Sequence, residues 1–404
     1  MNFIEEVRID NFKSLVDFSI KLGPFACLIG LNGAGKSTVL QALGFIGSFF
    51  KPMGVQSWLS QRNWEISDTA TKLSSKKNLT VSVAMQIDGR RIVWKGSFNR
   101  VKVCCTTESL LDDESGSEIF SVSSGSMLAV HMTGPGTNQS GIWPIKYQGS
   151  LLSVVDAGDL APVIQRARGL LAGLTALDLM IPQSLRASSR GFHPEGIGIA
   201  GETLGAFYAA LDPDSKRMLI ADFQKIYPHI EKIEVEKKRA GWIILNFVEK
   251  ISSTNVGRGL AIKATHTSDG MLRVFGVLAQ GFSSASIICF DEVENGINVE
   301  VTEKLVQALV EISRKKQVIV TTHSVMLLNY LPDDLARSSV QFIYRTDAGA
   351  THSVPYFSLK KAAQQLEFYT PGDVVLDYSL DRAALDAAAL EKSIRGRGLE
   401  PECR

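Results

Sequence analysis

The sequence is poor in cysteine and lacks any pairing pattern for it. Its 404 residues include five cysteines, an odd number, and no two of them have the spacing of zinc ligands. We therefore expect neither a disulfide framework nor a structural zinc, which is typical of a protein kept in the reducing cytoplasm. The five residues are Cys27, Cys104, Cys105, Cys289 and Cys403.

The sequence also lacks the features that would connect it to a membrane. Its N-terminus has no apolar leader, because Glu5, Glu6 and Asp10 lie within the stretch that a leader would occupy. No uninterrupted apolar run reaches the length of a transmembrane helix. We expect a cytoplasmic protein without a membrane partner.

Neither sign of charge is in excess. Lys and Arg together number 43, Asp and Glu number 42, and the net charge is +1. This balance excludes a uniformly basic nucleic-acid coat, although it is compatible with a local basic patch. Hydrophobic residues make up 45% of the chain, as in globular domains, and the length suits two or three lobes.

Strand and helix patterns alternate at both ends of the chain. Residues 3–29 alternate as strands do, a glycine-rich turn follows, and Ser37–Phe45 has helical character. From residue 268 onward, short apolar strands again alternate with helices, which is typical of a parallel sheet covered on both faces. The predicted fold class is therefore α/β. The later helices are predicted at 270–280 and 299–314, and the later strands at 286–290, 317–322 and 340–345.

The middle of the chain has a different pattern. Two strand-like runs meet at Asp88-Gly89, a sequence that favours a tight hairpin. Further strands are predicted at 101–106 and 119–122, and because Ser, Thr and Gly are dense over 115–141 we also expect long surface loops there. The predicted segments are 1–48, the first part of the core; 49–156, an inserted antiparallel β subdomain; 157–260, a helical lobe with a hairpin; 261–345, the second part of the core; and 346–404, a closing or docking segment.

Residues 30–37 match the phosphate-loop pattern G-x-x-x-x-G-K-[ST] at every fixed position, between a predicted strand and a predicted helix. Its glycines let main-chain N–H groups turn toward phosphate oxygens, and the start of the helix attracts the same anion. We expect Lys36 to reach the β- and γ-phosphates and the Ser37 hydroxyl to bind Mg²⁺. The other residues expected at the nucleotide are Asn32, Gly33, Ala34, Gly35 and Thr38.

Two polar clusters follow predicted buried strands farther along the chain. Asp291 and Glu292 end one strand, where one carboxylate can hold Mg²⁺ and the next can polarise the attacking water. We assign the metal to Asp291 and the general base to Glu292. His323 ends the following strand, where an imidazole can hydrogen-bond a γ-phosphate or the attacking water.

Together these elements resemble those of the ATP-binding-cassette (ABC) type ATPases of the SMC/RecF branch, and most of all the soluble ATPases related to the overcoming-lysogenization-defect (OLD) family. Ile9–Ser14 is similar to the "NF(K/R)S" opening of that branch, and His266–Arg273 is similar to its "SDGTLR" signature. Asp291–Ile297 is similar to "DEPENGLHP", and Gln317–Ser324 to "QVIxTTHS". The likeness covers about residues 1–45 and 260–345, and the middle of the chain follows it only in outline.

The resemblance implies a P-loop NTPase fold with an ABC-type core, in which two subunits sandwich ATP and Mg²⁺. It implies that Ser268 and Gly270 approach the γ-phosphate held by the other subunit, and that His323 senses the phosphate. It also implies that Lys13 and Ser14 lie near the adenine or the ribose.

A glutamine normally completes the magnesium site in this family, and Gln148 is the candidate for it. The signature departs from the transporter form by carrying Asp269, whose carboxylate would repel a γ-phosphate. We therefore expect Asp269 to point at a neighbouring helix end or a basic residue. Val293 stands where the family has proline. Residues 346–404 are too short for the Toprim domain of OLD nucleases, which argues against nuclease activity in this chain.

The leading functional hypothesis is an ATPase that dimerises on ATP and controls a separate effector, a nuclease or a toxin, in bacterial anti-phage defence. The alternative is a RecF- or SMC-like ATPase that clamps DNA, which the near-neutral charge weakens. A transporter motor fits less well, because the opening and the signature are not of the transporter type. Glu292 argues against an ATP-gated scaffold that does not turn over.

Overall fold

The computed structural model describes residues 1–124, 128–134, 137–142, 147–178, 180–190, 194–250 and 259–396. The chain forms two compact units, one of residues 1–174 with 331–404 and the other of residues 175–330. Within the described ranges, every helix is too short or too polar to span a bilayer. These units do not test the five predicted segments, whose boundaries stay a prediction.

The first unit opens with a mixture of strands and helices. Its phosphate-loop pattern falls between a wholly buried strand, Phe25–Ile29, and a helix that begins at Lys36. The elements up to residue 174 are β1 (Phe3–Asp10), β2 (Phe18–Lys21), β3 (Phe25–Ile29), α1 (Lys36–Ser48), α2 (Gly54–Arg62), β4 (Asn78–Ile87), β5 (Arg90–Asn99), β6 (Cys104–Asp112), β7 (Ser117–Ser124), β8 (Leu128–Gly134), β9 (Thr137–Ile142) and α3 (Pro162–Ala172).

Eight of these strands form one antiparallel sheet in the order β2-β1-β4-β5-β6-β7-β8-β9. The hairpin predicted at Asp88-Gly89 is confirmed, since both residues have positive φ angles between β4 and β5. One face of the sheet packs on α1 through aromatic rings, with Phe49 stacked on Phe98 at 4.7 Å and Phe45 edge-on to it at 5.6 Å.

The strand predicted at 119–122 is confirmed as part of β7, but the prediction of long surface loops over the rest of 115–141 is wrong. That region contains β7, β8 and β9, which extend the sheet from β6: β7 pairs with β6, β8 with β7, and β9 with β8. Hydroxyl residues are compatible with strands where one sheet face meets water, and in β7 they alternate with the buried Phe120 and Val122. The density of Ser and Thr therefore indicated a solvated sheet face instead of loops.

The second unit alternates helices with short strands. In chain order its elements are β10 (Leu174–Leu177), which begins at the boundary, α4 (Pro182–Arg186), α5 (Leu204–Ala210), α6 (Pro213–Ile226), β11 (Ile230–Lys237), β12 (Ile243–Glu249), β13 (Leu260–Lys263), α7 (Asp269–Gln280), β14 (Ile287–Phe290), α8 (Val299–Ser313), β15 (Gln317–Thr321) and α9 (Val325–Asn329). Strands β14 and β15 are parallel and wholly buried, as the sequence predicted, and β11, β12 and β13 form a separate antiparallel sheet. The parallel pair brings the polar residues that follow each strand to one edge.

The chain then returns to the first unit. Strand β16 pairs in parallel with β3, and β17 pairs with β16 in the antiparallel sense. This pairing places the start of β17 near the loop that follows β3. The elements are α10 (Asp333–Ser339), β16 (Val340–Arg345), β17 (Thr351–Pro355), α11 (Lys360–Gln365), α12 (Pro371–Asp377) and α13 (Leu380–Gly396).

Candidate functional site

The phosphate loop turns sharply between β3 and α1. Gly35 has a φ of 110°, and a Cβ atom at this position would overlap the side chain of Thr351, so only glycine fits. Helix α1 begins at once, with no side-chain cap and no acidic residue in its first turn. The first N–H groups of an uncapped helix can bind an anion such as phosphate.

Lys36 lies buried within this loop, with 6% of its surface exposed. Its Nζ atom donates hydrogen bonds to the carbonyl oxygens of Gly30 at 2.8 Å and Leu31 at 3.2 Å. Two main-chain carbonyl groups thus hold the ammonium against the loop. A phosphate group would give this cation an opposite charge, which a carbonyl dipole does not supply.

The remaining loop residues predicted at the nucleotide lie around this turn. Asn32 and Gly33 are exposed, Ala34 is buried, and Ser37 and Thr38 are half-buried in the first turn of α1. The Ser37 hydroxyl is a hard oxygen donor of the kind that Mg²⁺ prefers. The structure therefore brings the whole predicted phosphate-loop set together.

Thr351, at the start of β17, is a residue that sequence reasoning missed. It is fully buried, and its hydroxyl donates to the carbonyl oxygen of Ala34 at 2.9 Å and lies 2.8 Å from the hydroxyl of Ser14. Its main-chain N–H also donates to the carbonyl of Ser14. No local pattern marks Thr351, because its position follows from the pairing of β17 with β16 beside β3.

Lys13 and Ser14 were predicted to lie near the adenine or the ribose. Through Thr351, Ser14 lies beside the phosphate loop. Lys13 has a left-handed backbone with φ 47°, and its Nζ atom donates to Gln41 Oε1 at 3.0 Å and lies 3.4 Å from the ring centre of Trp64. Both residues contact elements next to the loop, and their contact with a nucleotide stays a prediction.

Gln148 lies near the other end of α1. The N–H of Ser150 donates to the carbonyl of Phe49, which follows α1, and this helix of 13 residues is about 20 Å long. The Oε1 atom of Gln148 is buried and has no hydrogen-bond partner in the described part of the chain, which suits a water or metal ligand. The structure nevertheless does not bring Gln148 together with Ser37, and its role as a magnesium ligand stays a prediction.

A buried carboxylate anchors the segment that follows Gln148. Glu108 on β6 accepts hydrogen bonds from the Ser150 hydroxyl and the Leu151 N–H, both at 2.6 Å, and from Trp94 Nε1 at 3.3 Å. Burial raises its pKa to about 7, although the three donors favour the charged form. Sequence reasoning missed this residue, because a single Glu in a strand gives no signal.

In the second unit, the acidic pair follows β14 beside the end of β15. The Thr321 hydroxyl donates to Asp291 Oδ1 at 2.6 Å and accepts the N–H of Glu292 at 2.8 Å. Glu292 has a φ of 45°, a left-handed conformation that is unfavourable for this residue type. Thr321 therefore fixes both residues of the pair, and the strained backbone sets the direction of the Glu292 side chain.

His323 lies next to this acidic pair, as predicted. Its Nε2 atom is 3.7 Å from Glu292 Oε1, and the side chains of both residues are about one third exposed. Glu294 Oε1 accepts the main-chain N–H groups of His323 at 2.9 Å and Ser324 at 3.2 Å. A carboxylate and an imidazole that meet at a half-exposed strand edge can together orient a water molecule and accept its proton.

The signature-like residues form the start of α7. The Ser268 hydroxyl caps the helix by accepting from the Met271 N–H at 3.4 Å, and Ser268 is exposed. A Cβ atom on Gly270 would lie 2.9 Å from the carbonyl oxygen of Gly296, so a larger residue would displace the loop after the acidic pair. The exposed N-terminus of this 12-residue helix can receive an anion.

The expectation for Asp269 is confirmed. Its carboxylate forms an ion pair with Arg186 of α4, and Arg186 also donates to the carbonyl of Thr267 at 2.7 Å. This contact directs the negative charge of Asp269 toward a cation of the same unit. The extra carboxylate of this signature is thereby partly neutralised.

The donor chemistry of the predicted metal residues fits Mg²⁺. No group of three or more His, Cys, Asp or Glu side chains suited to a metal ion occurs among the residues that the structure covers. The predicted donors are instead a hydroxyl, a carboxylate and an amide oxygen, from Ser37, Asp291 and Gln148. All three are hard oxygen ligands, and magnesium typically adds water and phosphate oxygens to one or two of these.

Two family models match the chain. One described as "AAA ATPase domain" matches residues 3–127, and one described as "AAA domain, putative AbiEii toxin, Type IV TA system" matches residues 172–329. These ranges contain the phosphate loop, the signature-like residues, the acidic pair and His323. The first match covers nearly all of the first predicted part of the core, and the second match covers residues 261–329 of the second part.

A curated relative and a solved structure are similar to the chain. An OLD nuclease of Thermus scotoductus is 28% identical over 80 residues, which is 20% of this chain and 14% of that protein. The chain thus matches only a small part of that relative's length. An SMC head bound to the C-winged helix domain of ScpA aligns with a TM-score of 0.53 at 15% identity, covering 90% of this chain and 99% of that one. At this identity the likeness concerns the fold.

Proposed function

We propose that this chain, which is an ABC-type ATPase similar to OLD-like ATPases and to SMC heads, dimerises on ATP and controls a separate effector protein. The observation that carries the proposal is the pair of Glu292 and His323 side chains, 3.7 Å apart and held by Thr321 and Glu294. Such a pair can position and activate a water molecule for phosphoryl transfer.

In this mechanism the phosphate loop binds the triphosphate. The N–H groups of the loop and of the first turn of α1 bind phosphate oxygens, and Lys36 turns from its carbonyl partners to the anion. Glu292 accepts a proton from water, and His323 holds that water or the γ-phosphate in place. Ser37 and Asp291 are the residues that would hold Mg²⁺, which would supply positive charge to the phosphates.

Dimerisation is supported by the start of α7. Ser268 is exposed at a helix N-terminus that presents N–H groups to solvent, and Arg186 holds the carboxylate of Asp269. We propose that this end of α7 binds the γ-phosphate held by a second copy of the chain. The two nucleotides would then hold the copies together, and hydrolysis would release them.

The effector is proposed from the relatives. The description of one matching family model names a putative toxin and a toxin–antitoxin system. The curated relative is described as an OLD nuclease. We propose that this chain supplies the ATP-dependent switch for a nuclease or toxin partner in anti-phage defence.

The dimer is tested with the Glu292→Gln variant, which should bind ATP without cleaving it. Light scattering after size exclusion should show a dimer with ATP and Mg²⁺ and a monomer without them. Adding Ser268→Arg should abolish the dimer, whereas the matched Ser284→Arg, at an exposed serine beyond the other end of α7, should not. A dimer that forms equally well without ATP, or that persists with Ser268→Arg, would contradict the proposal.

The effector is tested by isolating tagged Glu292→Gln protein from its native host with and without ATP. A nuclease or toxin recovered only with ATP, and lost with Ser268→Arg, is the expected result. Recovery of DNA without a protein partner, with binding that falls steeply as salt rises, would favour the DNA-clamping alternative.

A further inference from the structure

A cavity of about 520 Å³ lies between α6, α7 and α8 of the second unit. Its floor is apolar and is formed by Ile226, Leu278, Phe282, Ala308 and Ile312. A volume between about 300 and 1,000 Å³ with a mainly apolar lining is typical of sites for small organic ligands. None of the phosphate-loop, signature or acidic-pair residues line it.

The rim of this cavity is basic. Its two acidic residues have cationic neighbours, since Asp222 pairs with Lys225 at 2.6 Å and Glu311 with Arg314 at 3.0 Å. Three further lysines line the rim. Lys304 and Lys315 are exposed, and neither has a carboxylate partner in the described part of the chain.

The third lysine, Lys316, is the most informative. It is half-buried, and its Nζ atom donates to the carbonyl of Ser283, with no carboxylate near it among the described residues. Burial lowers its pKa, because the charged form loses hydration that a carbonyl does not fully replace. An anionic group in the cavity would stabilise this cation.

Part of the cavity lining is continuous in the chain with segments that carry the candidate-site residues. Helix α7 begins at the exposed Ser268 and reaches the cavity at Leu278, about 15 Å away along the helix. Helix α8 follows the loop of the acidic pair, and Lys316 directly precedes β15, which leads to Thr321. A ligand in the cavity would therefore contact three elements of the hydrolysis machinery without touching the nucleotide.

We propose that this cavity binds a small amphiphilic anion, a carboxylate or phosphate on an apolar chain or ring, and that its binding changes the rate of ATP hydrolysis. The apolar body would lie on Leu278, Phe282 and Ile312, and the anionic group would pair with Lys316. This inference stands independently of the proposed dimer and effector.

Calorimetry with decanoate and decyl phosphate as probes tests the binding on the full chain. Both should bind saturably at one site, and decan-1-ol should bind at least about tenfold more weakly, because it lacks the charge. Lys316→Met, which keeps the aliphatic stem, should weaken both anions about tenfold and leave decan-1-ol unchanged. The matched Lys237→Met, at an exposed lysine of β11 away from the cavity, should change nothing.

A second variant tests the location. Ala308→Trp should fill the cavity and abolish binding of all three probes, while circular dichroism checks that the variant is folded. Steady-state ATPase assays with saturating decanoate should show a changed rate in the wild type and no change in Ala308→Trp. Failure of both anions to bind the wild type, binding that survives in folded Ala308→Trp, or binding without any change in ATPase rate would each overturn the proposal.

Discussion

The hydroxyl of Thr351 donates a hydrogen bond to the carbonyl oxygen of Ala34 at 2.9 Å. A trans peptide is planar, so its carbonyl and its N–H point in opposite directions. The bond from Thr351 on one side of the loop therefore aims the Gly35 N–H toward the other side, where a phosphate oxygen would lie. Thr351 therefore acts as a positioning residue, because the donor that it orients belongs to Gly35.

Replacing Thr351 with Val removes the hydroxyl and keeps the shape, so ATP affinity should fall about tenfold. Thr351→Ser should restore it, because serine keeps the donor. Fluorescence titration with a labelled ATP analogue measures both. If Thr351→Val binds as tightly as the wild type, while its stability alone is lowered, the residue has only a packing role.

Replacing Lys36 with Ala should reduce ATP affinity by a factor of about a hundred or more, because the phosphates lose their buried cation. Calorimetry with ATP and Mg²⁺ checks this loss. Lys21→Ala, at an exposed end of β2, is the control and should bind normally. If Lys36→Ala retains its affinity for ATP, the loop does not bind the nucleotide.

Glu292→Gln should lower the hydrolysis rate by about 10²- to 10⁴-fold, because the amide cannot accept the proton of water. ATP affinity should stay within about twofold, since the side chain is not expected to bind the ground state. Single-turnover assays measure the chemical step, and Glu300→Gln on the exposed start of α8 should be unaffected. Hydrolysis at the normal rate in Glu292→Gln would place the base elsewhere.

Arg186→Met should weaken the ATP-dependent dimer, because the carboxylate of Asp269 loses its cation and would face the incoming phosphate. Asp269→Asn in the same chain should restore most of the dimer by removing that charge. The dimer dissociation constants of the two single variants and the double variant form a cycle that isolates the pair. If the dimer of the double variant is as weak as that of Arg186→Met, Arg186 does not act through the charge of Asp269.

The stability of the wild type should fall between about pH 4.5 and pH 7 relative to that of Glu108→Gln. In this range the unfolded chain releases the Glu108 proton, while the folded chain, with a pKa of about 7, retains it. Unfolding is thus favoured as pH rises, by roughly 1 kcal/mol per pH unit, until the folded pKa is passed. Urea titrations of both proteins at several pH values give the difference. Parallel pH profiles would mean that burial does not shift this carboxyl.

The parts of the fold and site that the sequence predicted are those with a local signature. The phosphate loop, the acidic pair and His323 each follow an apolar strand, and the parallel pairing of β14 and β15 brings Glu292 and His323 together. The expected cation for Asp269 was also found, although nothing in the local sequence identified Arg186.

The parts that escaped prediction depend on distant residues. Thr351 contacts Ala34 across 317 residues of sequence, and Trp94 meets Glu108 only through the pairing of β5 with β6. Strands β8 and β9 escaped because they lie in a stretch dense in Ser, Thr and Gly, which has the composition of a loop. The cavity between α6, α7 and α8 depends on helix packing, which periodicity alone does not determine.

The contact between Thr351 and the phosphate loop also bears on synthesis of the protein. The loop is translated more than three hundred residues before the strand that orients it. A nascent chain that has not yet produced β17 carries the entire motif but lacks the hydrogen bond that sets the Gly35 N–H. Full affinity for a triphosphate would therefore arise only after β17 has been translated, so that nascent chains without β17 would bind the nucleotide weakly.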